Sequence, residues 1–96
     1  MKVVYKYEVS PERGKSVELP ADARIIHVGE QGDILMLWAE HGWPDANTSH
    51  VTRHFDVFGT GQPIPEDARH LGTFFDGPFV WHVYETRYVA PTTVDL

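Results

Sequence analysis

The chain has 96 residues, a formal charge of −6 and no cysteine. Its size allows one domain, and the absent cysteine removes disulfides, thiolate catalysis and cysteine-ligated zinc. The net negative charge argues against nonspecific binding to a nucleic-acid backbone, and the acids, spread from Glu8 to Asp95 and mixed with Lys and Arg, read as a solubilising surface.

Short period-2 runs bounded by turn residues dominate the chain and predict half-buried antiparallel strands. In the first run Val3, Tyr5, Tyr7 and Val9 share one face, with Lys2, Lys6 and Glu8 on the other. Residues 10–14, SPERG, predict a turn, because proline presets one dihedral and glycine permits a positive one. A brief strand follows over 16–19 and stops at Pro20. Residues 23–28 and 34–40 predict two stronger strands joined by a hairpin at Gly29-Glu30-Gln31-Gly32. Residues 34–39, ILMLWA, are apolar on both faces, so this strand is expected to be covered on both sides, at the centre of a curled sheet. They fall far short of the roughly 20 residues a membrane-spanning helix needs, and charges break up the N-terminal run where a leader would be apolar. A cytoplasmic protein with no membrane partner is therefore expected.

After a polar loop over 42–50, residues 51–58 alternate again, and residues 79–85 form the last predicted strand. Between them Pro65-Glu66-Asp67-Ala68-Arg69-His70 carries a helix-start pattern, with proline in the first turn and acids beside the positive end of the dipole. One short helix is expected near 65–70, then a short strand over 71–75. The pattern ends at about Tyr88, giving a single β-rich domain over 1–87 and a tail over 88–96. The fold class expected is mainly β: a small antiparallel, strongly curled sheet or partly open barrel with one short helix.

The chemistry is sparse. Gly59-Thr60-Gly61-Gln62 is the candidate ligand loop, since paired glycines can present backbone N–H groups to a phosphate. It has no lysine, and Pro63 and Pro65 remove two donors, so a strand-exit corner is the stronger reading. Three strand histidines, His27, His54 and His82, would make a metal site if the sheet gathered them, but nothing in the sequence brings them together; no metal and no cofactor are expected. There is no nucleophile elbow, and Ser49-His50 are chain neighbours, which rarely face one another in triad geometry. Trp43, in the polar loop HGWPD, is the candidate interface anchor, with Tyr5 and Tyr7 as a second candidate face.

At FGTGQPIP, residues 58–65, together with Ile26-His27-Val28-Gly29, Leu37-Trp38-Ala39 and Val80-Trp81-His82-Val83-Tyr84-Glu85, the chain resembles a family of small phage-encoded proteins. Like them it opens with a short Lys-Tyr strand, Val4-Tyr5-Lys6-Tyr7. The resemblance covers most of residues 1–85, and its most distinctive part is the Gly-Thr-Gly-x-Pro-Ile-Pro segment. It implies a phage or prophage origin in actinobacteria and action inside the host cytoplasm. It carries no assigned activity, so no site residue follows from it. The function expected is a non-enzymatic accessory protein that binds a host or phage protein, or a second copy of itself. The alternative is a protein that sequesters a nucleotide-like ligand at the Gly59–Gly61 loop.

Overall fold

The computed structural model describes residues 1–9 and 15–86; the turn expected at 10–14 and the tail expected at 88–96 lie outside the described residues. The described chain forms β1 (Lys2–Glu8), β2 (Ser16–Pro20), β3 (Arg24–Gln31), β4 (Ile34–Gly42), β5 (His50–Gly59), β6 (Arg69–Asp76) and β7 (Phe79–Thr86). Two antiparallel sheets result, β1-β4-β3 and β2-β5-β7-β6. The expected curled sheet or barrel gives way to this two-sheet, all-β arrangement, with no helix among the described residues.

Alternation explains which side chains meet. In the three-stranded sheet Leu37 and Ala39 are fully buried, and their partners across the strands are Tyr7 and Val28, and Tyr5 and Ile25. In the four-stranded sheet Leu19, Phe55 and Val83 turn inward to meet them. Burying a side chain of this size contributes about 1.5–3 kcal/mol. A bulge between Ile25 and His27 leaves Ile26 without a partner on β4 and puts His27 opposite Trp38, where the rings sit 5.3 Å apart. An inserted residue reverses the alternation, which is how His27 reaches the outer face. β4 is central to its sheet, as its sequence predicts. Its second apolar face, however, keeps Ile34 39% exposed and has no described strand over it.

The hairpin between β3 and β4 turns later than the glycine spacing suggests. Gln31 pairs with Ile34, and Gly32 and Asp33 occupy the turn with φ of 54° and 66°. Two successive positive dihedrals give the primed turn whose twist matches antiparallel strands, and Gly followed by Asp tolerates it. Gly29 stays inside the strand.

β5 and β6 both run antiparallel to β7, so they are parallel to each other. Residues 60–68 must therefore cross β7 to reach the start of β6. Thr60 bonds His82 on the outer face, 3.1 Å away, so the crossing begins there; on that face the buried Phe58 packs edge-on against Tyr84 at 5.6 Å. The expected helix near 65–70 is replaced by a single turn, Ala68 N–H to Pro65 C=O at 3.1 Å, and β6 starts at Arg69. A single helical turn is a costly nucleus with little to propagate it. Arg69 instead pairs with Glu85 in both backbone register and charge.

A polar contact links the sheets at one end. The Arg53 guanidinium grips Glu85 with Nε at 2.8 Å and Nη2 at 2.6 Å, and donates to the Ala23 carbonyl at 2.9 Å. Arg69 adds a bond to the same carboxylate at 2.9 Å. The hydrogen bond from Arg53 is the main cause holding Glu85 below the usual carboxylate range; desolvation opposes it, and the charges of Arg53 and Arg69 reinforce it.

Candidate functional site

At the opposite end the sandwich gapes. The Gly32–Asp33 turn of one sheet and the Gly77–Pro78 turn of the other stand either side of a cleft of about 540 Å³. That volume lies within the usual range for ligand pockets. Its floor is apolar: Leu35 from β4, Phe55 and Val57 from β5, Phe74 from β6 and Trp81 from β7. These are the inward positions of strands whose alternation is legible in the sequence, so the floor is the core surfacing at the end of the sheets.

The mouth is acidic. Glu8, Glu30, Asp33 and Asp76 line it. Among the described residues lining the cleft the one cation is Lys15, and its ammonium is committed to Asp56 at 2.7 Å. Glu30 is held above the usual carboxylate range, first by desolvation and then by the charges of Asp76 and Asp33. Carboxylates from two sheets thus repel across the opening. Phe79 and Trp81 share the inward face of β7 with Val83, yet Phe79 remains 58% exposed beside the cleft. Their rings stack at 5.9 Å and 27°. Phe75, 78% exposed at the same end, alternates with the inward Phe74 and lies on the outer face of the sheet opposite Val80.

The residues singled out in the sequence lie elsewhere. Gly59 to Gln62 form a closed turn: the Gln62 N–H bonds the Gly59 carbonyl at 3.1 Å, and Gly61 takes φ of 89°. The Gln62 side-chain oxygen accepts the Gly59 N–H at 2.8 Å, so a donor that a phosphate cradle would use is occupied, and the Thr60 hydroxyl is bonded to His82. The corner reading describes this geometry. His82 also meets Thr73 at 3.0 Å, tying β6, β7 and the crossing segment together. His27 lies tilted against Trp38 on the outer face of the other sheet, away from His82, so the three strand histidines are not gathered. Among the described residues no group of three or more His, Asp or Glu is arranged to hold a metal.

Tyr7 is half-buried, and its hydroxyl lies 2.8 Å from Nε2 of His41. His41 is 2% exposed, and its Nδ1 lies 2.9 Å from the Gly42 carbonyl. A carbonyl only accepts, so Nδ1 carries a proton, and Nε2 shares its hydrogen bond with the Tyr7 hydroxyl. Burial, aided by Tyr5, raises the Tyr7 phenol above its ordinary range. Tyr7 therefore supports the core. Tyr5, 39% exposed, packs edge-on against the same imidazole at 5.2 Å. Trp43 is 62% exposed and borders a shallow depression of about 270 Å³ with Asp22 and Ser49, at the end away from the cleft.

The acidic mouth escaped the sequence reading, although a signal was present. Both hairpins place an acid next to a turn glycine, Asp33 after Gly32 and Asp76 before Gly77. Such acids are ordinary turn chemistry, and only the pairing of the sheets brings the two turns face to face. A family model described as Domain of unknown function (DUF7352) matches residues 1–93. No curated protein and no solved structure matches the chain.

Proposed function

The chain belongs to that family of unknown function, and we propose that it is a non-enzymatic binding module that engages a protein partner at the open end of the sandwich. One observation carries the reading: an apolar cleft of about 540 Å³ lined by the half-buried Trp81, on whose ring the exposed Phe79 stacks. Aromatic anchors beside a desolvated pocket are where binding energy concentrates. The described lining holds no Ser, Thr or His to form a nucleophile–base pair. Glu30 is exposed, whereas a carboxylic acid that keeps its proton for catalysis near neutral pH is buried in an apolar site. The likeness to small phage-encoded proteins supports a role as an accessory protein acting in a host cytoplasm. The nucleotide-like alternative loses its support, since the Gly59 N–H is occupied and an acidic mouth repels phosphates.

Trp43 at the other end offers a second face, and one experiment separates the two. The immobilised chain is incubated with actinobacterial lysate as wild type, as Phe75→Ser/Phe79→Ser, and as Trp43→Ala. All three positions are exposed, so the fold is expected to survive, with melting checked by circular dichroism. A protein retained by wild type and Trp43→Ala but lost from the double variant supports the proposal. Retention by the double variant together with loss from Trp43→Ala overturns the placement at the cleft end.

A further inference from the structure

We infer that the cleft receives a lysine or arginine side chain from a basic segment of the partner, its alkyl stem on the apolar floor and its charged head between Glu30, Asp33 and Asp76. This rests on the reading that the cleft end is the binding face, and it names the chemistry of what binds there.

The argument is one of charge and shape together. Glu30 and Asp33 flank the turn of one sheet and Asp76 the turn of the other, and among the described residues none of the three has a cationic partner within salt-bridge distance. The nearby Lys15 is already paired. Like charges held across an opening are unfavourable in the free protein, so an incoming cation gains attraction and relieves repulsion at once. A small hydrated ion would satisfy the carboxylates but leave Leu35, Val57 and Phe74 in water. A lysine or arginine stem covers such a surface while its head stays at the polar mouth. The exposed ring of Phe79, stacked on the half-buried Trp81, adds a face for a cation. An anionic or phosphorylated ligand meets the opposite balance. The overall charge of −6 attracts basic partners over longer range as well.

The test is a heteronuclear NMR titration of the full chain at low salt with an acetylated pentapeptide of alternating leucine and lysine. Parallel titrations use peptides in which each lysine is replaced by glutamine or by glutamate. The expected result is shifts confined to Leu35, Phe74 and the Trp81 backbone and indole, seen with the lysine peptide and strongly reduced with the other two. Glu30→Gln/Asp76→Asn should weaken binding about tenfold, the loss of two screened charge contacts. Both residues are exposed, so this variant keeps the fold. If the glutamine peptide binds as tightly as the lysine peptide, the cationic inference falls while the cleft survives as a docking face. Shifts outside the cleft, or none with any peptide, overturn the inference and the binding face together. Cleft shifts that appear on concentrating the protein alone overturn it in favour of a second copy of the chain.

Discussion

Replacing Gly72 by alanine tests how the two sheets meet. Gly72 sits on β6 just past the register shift at His70, and β6 there lies against β3 of the other sheet. A Cβ at this position would stand well inside van der Waals contact with Cγ2 of Val28. Val28 is 3% exposed and β-branched, so its methyl cannot swing into an alternative rotamer without meeting other core atoms. The strands must separate or Val28 must leave its rotamer, and overpacking of this kind costs about 1–3 kcal/mol. Gly72 is not among the positive-φ glycines, so alanine suits the backbone and recovers about 0.4–1 kcal/mol by restricting the unfolded chain. The clash wins, with a net loss of about 1.5 kcal/mol. For a domain of this size that is a fall of about 6–12 °C in melting midpoint. Urea and thermal denaturation followed by circular dichroism would measure it. Adding Val28→Ala should relieve the clash, so the double variant should lose less than the sum of the singles by at least about 0.5 kcal/mol. An unchanged midpoint for Gly72→Ala, or strict additivity, would refute the close approach of β3 and β6.

Other outcomes follow from the contacts already described. Tyr7→Phe leaves Nε2 of the buried His41 without its hydrogen-bond partner and should cost about 1–3 kcal/mol in urea denaturation; a loss under about 0.3 kcal/mol would mean the hydrogen bond is not formed. The Glu85 carboxyl has a lowered folded-state pKa. Its contribution is therefore complete above the unfolded value of about 4.3 and disappears as pH falls through the lower folded value. The stability gap between wild type and Glu85→Gln should accordingly be widest near neutrality and narrow in acid; a gap that widens on acidification would reverse the assignment. Gly61 holds φ of 89° and Gly59 no positive φ, so Gly61→Ala should lose about 1–2 kcal/mol and Gly59→Ala clearly less. The opposite ranking in thermal melts would misplace the corner.

The sequence by itself determined the strands, because alternation and turn residues act locally. Val3 to Val9, residues 51–58 and residues 79–85 read as half-buried strands, and β1 (Lys2–Glu8), β5 and β7 form there. Its lack of cysteine also rules out any chemistry that needs a thiol of its own. Local signals misled where long-range pairing outweighed them. The Pro65-Glu66-Asp67 pattern promised a helix, but Arg69 and His70 gain more from β7 than one helical turn can supply. The double apolar face of β4 promised a closed, covered strand, although the number and order of strands over it are not written in that strand.

What only the tertiary structure decided is the site. Asp33 and Asp76 lie 43 positions apart (76 minus 33) in ordinary turn contexts, and no spacing rule joins them. They face each other because β3–β4 and β6–β7 belong to different sheets whose ends splay apart. In the same way Glu85 finds Arg53 through the pairing of β5 with β7, and Tyr7 finds His41 through β1 on β4. A period of two tells each side chain which face it takes. Which partner waits on that face is settled by the packing of the sheets, which minimises exposed apolar area over the whole chain at once.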